Sequence, residues 1–317
     1  MSAIGLGFWQ AGSRLWSSSM TIGDLVRALE VALETGLSLL DTAEVYGLGR
    51  SEEMLGEALR AVGREGFVVA SKVAGFRVGE RDVVRAVEAI NKRLGSVVDV
   101  IQLHWPPPVW SDFCEPVRGL ERAVAEGLAH YYGLSNFDAE EVERALECSK
   151  RIEPVSDQVQ YSLAFRAPEA RLKPLLDSRG LSLIAWSPLA KGALAGAKPT
   201  SLAQRLDPVF GEASRDEKLQ RALESAASRL GATKAQVALA WLVAKGSIPI
   251  PGFRRSERVR EIAGAALLDL SESVVRELDE ASRRYLERWG SRVWSSRATR
   301  LAPALLQRVA IALLGGI

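Results

Sequence analysis

Leu37-Ser38-Leu39-Leu40-Asp41 is a short apolar run that ends on an acid, and the pattern recurs at a nearly constant interval. Phe67-Val68-Val69-Ala70-Ser71 runs into Lys72, and Val98-Asp99-Val100-Ile101-Gln102-Leu103 runs into His104. Asp41, Lys72 and His104 are 31 and 32 residues apart, and Ser135 closes the next such run 31 residues later. A short apolar run is a buried strand, and an interval of about 30 residues leaves room for one returning helix, so each unit reads as βαβ. Polar residues at the ends of successive parallel strands meet on one face of the sheet.

Working outward, strands are expected over residues 4–8, 37–40, 67–71, 98–103, 130–134, 156–160, 182–186 and 247–250. Amphipathic helices are expected between them. Residues 22–35 place Leu25, Ala28, Leu29, Ala32 and Leu33 on one face, and 81–94 and 139–148 follow the same period. Another helix opens at Ser51-Glu52-Glu53-Met54, with Ser51 as the expected N-cap. Eight units in series predict an α/β fold of the closed (β/α)8 TIM-barrel type, which takes about 250 residues. An open doubly wound sheet would carry a glycine fingerprint after its first strand, and Gly5-Leu6-Gly7 lacks the third glycine. Residues 187–246 leave room for a long loop and two helices (215–230 and 234–245), and residues 271–289 read as one more helix. The reading is one domain over residues 1–317, with a C-terminal extension over 285–317 whose stripe of Leu305, Leu306, Val309 and Leu313 can pack on the barrel, close the pocket or join subunits, packing on the barrel being favoured. A monomer is favoured.

Composition narrows the partners. The chain is 47% hydrophobic and 25% charged with a net charge of +2, which points to no nucleic-acid or membrane partner. The N-terminus has no basic region ahead of a long apolar core, so a cytoplasmic location is expected. Cys114 and Cys148 have no metal or redox spacing and read as buried thiols, in keeping with a reducing compartment. Asn91 and Asn136 are the only asparagines, and arginine far outnumbers lysine. A hot-growing source and a GC-rich genome both produce that bias.

Asp41, Tyr46, Lys72 and His104 together suit one task. A carbonyl that accepts hydride builds negative charge on its oxygen, and a donor must stand where that charge develops. Tyr46 can give a proton, and the Lys72 ammonium, held by Asp41, is expected to lower the phenol pKa from about 10. His104 can hydrogen-bond the substrate oxygen. Taken singly, each has a plain structural reading: a cap, a packed ring, a solvated charge, a core histidine. Their convergence at adjacent strand ends favours the chemical one. His130 begins its strand at the far end and reads as structural.

These residues carry a family resemblance. Gly36 to Gly47 with Ser51-Glu52, then Ser71-Lys72, Leu103-His104-Trp105-Pro106, Gly133-Leu134-Ser135-Asn136-Phe137, Gln158-Val159-Gln160-Tyr161, Ala185-Trp186-Ser187-Pro188-Leu189-Ala190-Lys191-Gly192 and Ile248-Pro249-Ile250-Pro251-Gly252 resemble the ordered motifs of the aldo-keto reductases. The resemblance implies a metal-free NAD(P)H-dependent reductase of aldehydes and ketones, and Arg254 and Arg258 beside a helix start suit a 2′-phosphate, so NADP(H) is expected over NAD(H). It makes Tyr46 the proton donor, Lys72 and Asp41 its tuning pair, and His104 the group that orients the carbonyl. It implies cofactor contacts from Ser135, Asn136, Gln158, the stacking ring of Trp186, the loop of Ser187, Leu189, Lys191 and Gly192, then Ile250, Gly252, Phe253, Arg254, Arg258 and Glu261. Gly252 and Phe253 stand where many members have lysine and serine, with Arg254 expected to compensate and Phe253 to lie near the adenosine. Ile262 replaces the usual asparagine.

Trp9 and Trp105 are expected to wall the substrate pocket, with Phe76, Trp110 and Trp294 closing it, which favours aromatic or aliphatic carbonyls. Two rivals remain: a regulatory module that keeps the cofactor without turnover, as in family-like channel subunits, and a Schiff-base aldolase on Lys72.

Overall fold

The computed structural model describes residues 2–12, 20–199, 202–290 and 301–313. Eight parallel strands lie in sequence order: β1 (Gly5–Gly7), β2 (Leu39–Asp41), β3 (Val68–Val73), β4 (Val98–Leu103), β5 (Ala129–Ser135), β6 (Ser156–Gln160), β7 (Ser182–Trp186) and β8 (Ser247–Pro249). The barrel closes where the Gly7 N–H donates to the Pro251 carbonyl at 3.0 Å, beside a parallel bridge from Gly7 to Gly252. A Cβ on Gly7 would stand 3.0 Å from the Ile250 carbonyl, so the seam favours glycine.

Side chains alternate along each strand, and the alternation sorts the two cores. Leu39, Ala70, Ile184 and Ile250 fill the barrel interior, flanked by Val68, Val100 and Trp186. Leu40, Val69, Ile101 and Leu134 pack outward against the helices. One more step along the inward rows brings Asp41, Lys72, Gln102 and Gln158 into the barrel's upper layer, all buried.

The helices around the barrel are α1 (Ile22–Thr35), α2 (Arg50–Val62), α3 (Glu80–Leu94), α4 (Cys114–Ala125), α5 (Ala139–Cys148) and α6 (Leu172–Arg179). They continue with α7 (Leu202–Leu206), α8 (Pro208–Arg215), α9 (Glu217–Leu230), α10 (Lys234–Ala244), α11 (Ser256–Ala266), α12 (Glu272–Ala281), α13 (Arg284–Arg288) and α14 (Ala304–Leu313). Capping boxes at Thr21/Asp24, Asp138/Glu141 and Thr233/Gln236 start α1, α5 and α10. Among the described residues no helix is long and apolar enough to cross a membrane.

Several expectations are corrected. Ser51 does not cap α2; the helix starts from Gly49, at φ 91°, and the buried Ser51 hydroxyl donates to the Phe8 carbonyl at 2.9 Å. The helix expected over 271–289 is split into α12 and α13. Cys114 and Cys148 are not free thiols. They sit at the start of α4 and the end of α5, with Cα atoms 5.2 Å apart, and form a disulfide. Their separation of 34 residues makes the cross-link worth roughly 4 kcal/mol by loop-closure entropy. Paired thiols give no support to a reducing compartment. The stripe on α14 also faces the wrong way: Leu305, Leu306, Val309 and Leu313 are exposed, whereas Gln307 and Ile311 are buried.

Candidate active site

Asp41 ends β2, and the chain then turns through Thr42–Val45 to bring Tyr46 back over the barrel mouth. Lys72, at the end of β3 and fully buried, donates to Asp41 Oδ1 at 2.5 Å and to the Thr42 carbonyl at 2.9 Å. Its Nζ also lies 3.5 Å from the Tyr46 hydroxyl. The second Asp41 oxygen accepts the Gln158 amide at 2.8 Å and the Gln102 amide at 3.4 Å. The His104 ring meets Tyr46 edge to face, with centroids 5.7 Å apart. The three residues singled out by spacing, Asp41, Lys72 and His104, therefore form one cluster with Tyr46.

Its electrostatics follow from burial. Burial works against the Lys72 ammonium, but Asp41 and then Tyr46 outweigh it, and its pKa lies above the ordinary lysine value. Burial raises the Tyr46 phenol, and Lys72 offsets this only in part, so the net direction is up rather than down as expected from the sequence. Tyr46 is thus protonated at neutral pH. Burial first, and the Lys72 charge second, hold His104 well below the ordinary imidazole value, so its ring is neutral. His104 Nδ1 has no hydrogen-bond partner among the described residues.

A cavity of about 840 Å³ opens over this cluster. Asp41, Tyr46, His104, Trp9 and Trp105 line it at one end, and Lys72 stands behind the wall. Ser135, Asn136, Gln158, Trp186, Ser187, Leu189, Lys191, Gly192, Ile250, Gly252, Arg254, Arg258 and Glu261 line the rest. Asn136, held at φ 62°, donates to the His104 carbonyl at 2.9 Å and accepts the Trp186 indole N–H at 2.9 Å. Ser135 Oγ donates to the Gln158 carbonyl at 2.9 Å. Ser187, Ala190 and Lys191 all take positive φ, a costly backbone for non-glycine residues that clusters at ligand-binding loops. The Ser187 hydroxyl is buried without a partner among the described residues. Lys191 pairs with Asp207, and Arg258 pairs with Glu261, which also accepts the Thr233 hydroxyl at 2.8 Å.

Phe253 departs from expectation. It is 3% exposed and packs edge to face on Phe8 with centroids 5.3 Å apart, so its ring belongs to the core and not to the cavity. Phe76 packs behind Trp105, and Trp110 is exposed on the surface, its indole donating to the Leu301 carbonyl at 3.3 Å. Trp294 lies outside the described residues. Sequence reasoning missed Gln10, Gln204 and Leu239 on the wall; it offered the tail as a pocket closure and named Leu306, but not Gln307, Ala310 or Ile311 of α14, which close one side with it. The available signal was Gln307 itself, a polar residue set inside an apolar run.

The family model described as the aldo/keto reductase family matches residues 3–283. An uncharacterized oxidoreductase of Mycobacterium tuberculosis is 34% identical, over 90% of this chain and 90% of its own. A putative voltage-gated potassium channel subunit beta of Schizosaccharomyces pombe is 30% identical, over 88% and 89%. The crystal structure of an aldo-keto reductase from Klebsiella pneumoniae in complex with NADPH superposes with a TM-score of 0.72 at 31% identity, covering 95% of this chain and 94% of that one. With the barrel, its cavity and this match across nearly its whole length, the chain belongs to the aldo/keto reductase family.

Proposed function

We propose that this protein is an NADPH-dependent oxidoreductase that reduces aldehydes or ketones to alcohols, with Tyr46 as the proton donor. The observation that carries the reading is a protonated phenol on the cavity wall with a buried ammonium 3.5 Å behind its oxygen.

The cavity fits a dinucleotide. The Ser187 hydroxyl, without a partner among the described residues, and the left-handed loop that follows suit a pyrophosphate, and the rim arginines Arg254 and Arg258 suit a 2′-phosphate. Ser135, Asn136 and Gln158 offer amide and hydroxyl groups for a carboxamide, the Trp186 ring offers a stacking face, and Glu261 suits the adenine end. NADPH, when bound there, supplies the hydride. Tyr46 then gives its hydroxyl proton to the carbonyl oxygen as the carbon accepts the hydride, and the product is the alcohol. Lys72 stabilises the phenolate left behind, Asp41 keeps Lys72 charged and aimed, and solvent restores the phenol proton. Neutral His104 can donate a hydrogen bond to the same oxygen without competing for the proton. Trp9 and Trp105 give the substrate end an apolar wall, which favours aromatic or aliphatic carbonyls.

Lys72 is a poor Schiff-base nucleophile here, because its amine is held charged and behind the wall. The channel-subunit relative keeps one rival alive, a cofactor-binding module with negligible turnover. Steady-state NADPH oxidation against a panel of aldehydes and ketones decides between them. Turnover with apolar carbonyls, weaker with NADH, is expected. No consumption with any carbonyl, despite tight NADPH binding, would select the module.

A further inference from the structure

Two polar chains run from α14 to the site. Gln307 accepts the Trp105 indole N–H at 3.0 Å, and the Trp105 ring packs on His104 with centroids 4.9 Å apart. One residue on, Arg308 donates to Asp82 Oδ2 at 2.5 Å and lies over the Phe76 ring, 5.2 Å from its centroid. The other Asp82 oxygen accepts Arg77 at 3.1 Å. Arg77 grips both Glu44 oxygens at 3.2 and 2.8 Å, and Glu44 accepts the Ala74 N–H at 2.7 Å. Glu44 lies two residues before Tyr46, so this chain ends on the loop that carries the phenol.

The way α14 is seated gives these chains their meaning. A helix docked for stability turns its leucines inward. Here Leu305, Val309 and Leu313 face solvent, and Ile311 is the buried apolar residue, joining Ala43, Val45, Phe76 and Trp105 beside Tyr46. The polar anchors therefore hold the helix in place. Isolated surface ion pairs contribute little, but the Arg308 pair continues through Asp82 and Arg77 to a buried Glu44.

We propose that Gln307 and Arg308 are positioning residues for the reduction, holding the Tyr46 loop and the Trp105–His104 side of the cavity in register. The proposal rests on the reading of Tyr46 as the proton donor. The charged or titratable groups facing Tyr46 are Lys72 from β3, Asp41 from β2 and His104 after β4; α14 brings Ile311 against the same cluster and its one charge, Arg308, over the Phe76 ring and paired with Asp82. Loosening α14 lets water reach the phenol, and the Lys72 charge then has the greater influence. The alkaline limb of activity should move to lower pH.

The test uses the full chain with R308M, R308K and D82N. Carbonyl kcat and KM, the pH profile of kcat and the NADPH dissociation constant are measured for each. R308M is expected to lower kcat by about tenfold, with NADPH affinity within about twofold of the parent. Its alkaline limb should move to lower pH and R308K should recover most of the loss. D82N should match R308M, and the double variant should add little, since both break one link. If R308M does not fold, D82N carries the same readouts. An unchanged kcat and pH limb, with or without a higher KM, would overturn the proposal and leave α14 as a wall of the pocket. Y46F measured alongside separates the two readings. Full turnover in Y46F sinks the donor assignment, while its loss beside a silent R308M overturns only the positioning role.

Discussion

The strand-end cluster of β2–β4 and the rim beyond β7 and β8 are built in opposite ways. Asp41, Lys72, Gln102 and Gln158 are buried and hold one another across the barrel interior from β2, β3, β4 and β6. Around the rim, Arg254 is exposed, Arg258 pairs with Glu261 three residues away on its own helix, and Ser187 to Gly192 is a strained loop. Side chains on a rigid sheet fix the distance at which a proton moves, whereas loop side chains can change what is recognised without disturbing that distance. If so, variants of the first region should damage rate and stability together, and variants of the second should damage recognition alone. Tyr46→Phe is the strongest test. It keeps the ring and removes the proton, so kcat should fall by about 10²–10⁴-fold with NADPH binding retained. Comparable turnover in Y46F, measured under saturating carbonyl, would break the comparison at its centre. In the parent, the raised phenol pKa means activity holds through neutral pH and is lost only as the phenol ionises on the alkaline side.

Lys72→Met comes next. It leaves Asp41 buried without its cation, and breaking one partner of a buried pair costs about 3–5 kcal/mol. Urea denaturation should show that loss. With the ammonium gone, nothing offsets the burial of Tyr46, so any residual activity should have its alkaline limb at higher pH. A stability loss within that of a surface substitution would mean the Lys72–Asp41 pair is not the keystone described here.

Where local pattern decides the structure, the sequence was readable. All eight expected strands agree with the observed ones to within two residues, because most are rich in Val, Ile, Leu and aromatics and bounded by turns, and the polar residues at the ends of β2, β3 and β4 follow from their period. What failed depends on contacts distant in sequence. The disulfide was missed because Cys114 opens α4, a helix its neighbours did not announce, and its partner lies one βα unit away. Phe253 is expected near the adenosine, not in the core, because its ring partner, Phe8, comes from the other end of the chain. The face of α14 was misjudged because leucine spacing shows which face can be buried, whereas the Trp105 indole, some two hundred residues earlier, chose Gln307.

Arg258→Ala sharpens the rim half of the comparison and should have the smallest effect. Its guanidinium is more than half exposed and its ion pair with Glu261 is local, so stability should stay within about 0.5 kcal/mol of the parent. Recognition is another matter. A guanidinium facing a cofactor 2′-phosphate makes a charge-assisted bond that the phosphate-free cofactor cannot use, worth about 1.4 kcal/mol, or roughly tenfold in affinity. The ratio of NADPH to NADH affinity should therefore fall by about tenfold, with kcat at saturating NADPH unchanged. If the ratio holds, the phosphate is gripped by Arg254 or another rim group, and R254A in the same titration identifies which. If kcat falls instead, the rim and the strand ends are coupled, and the division between rate and recognition does not hold for this barrel.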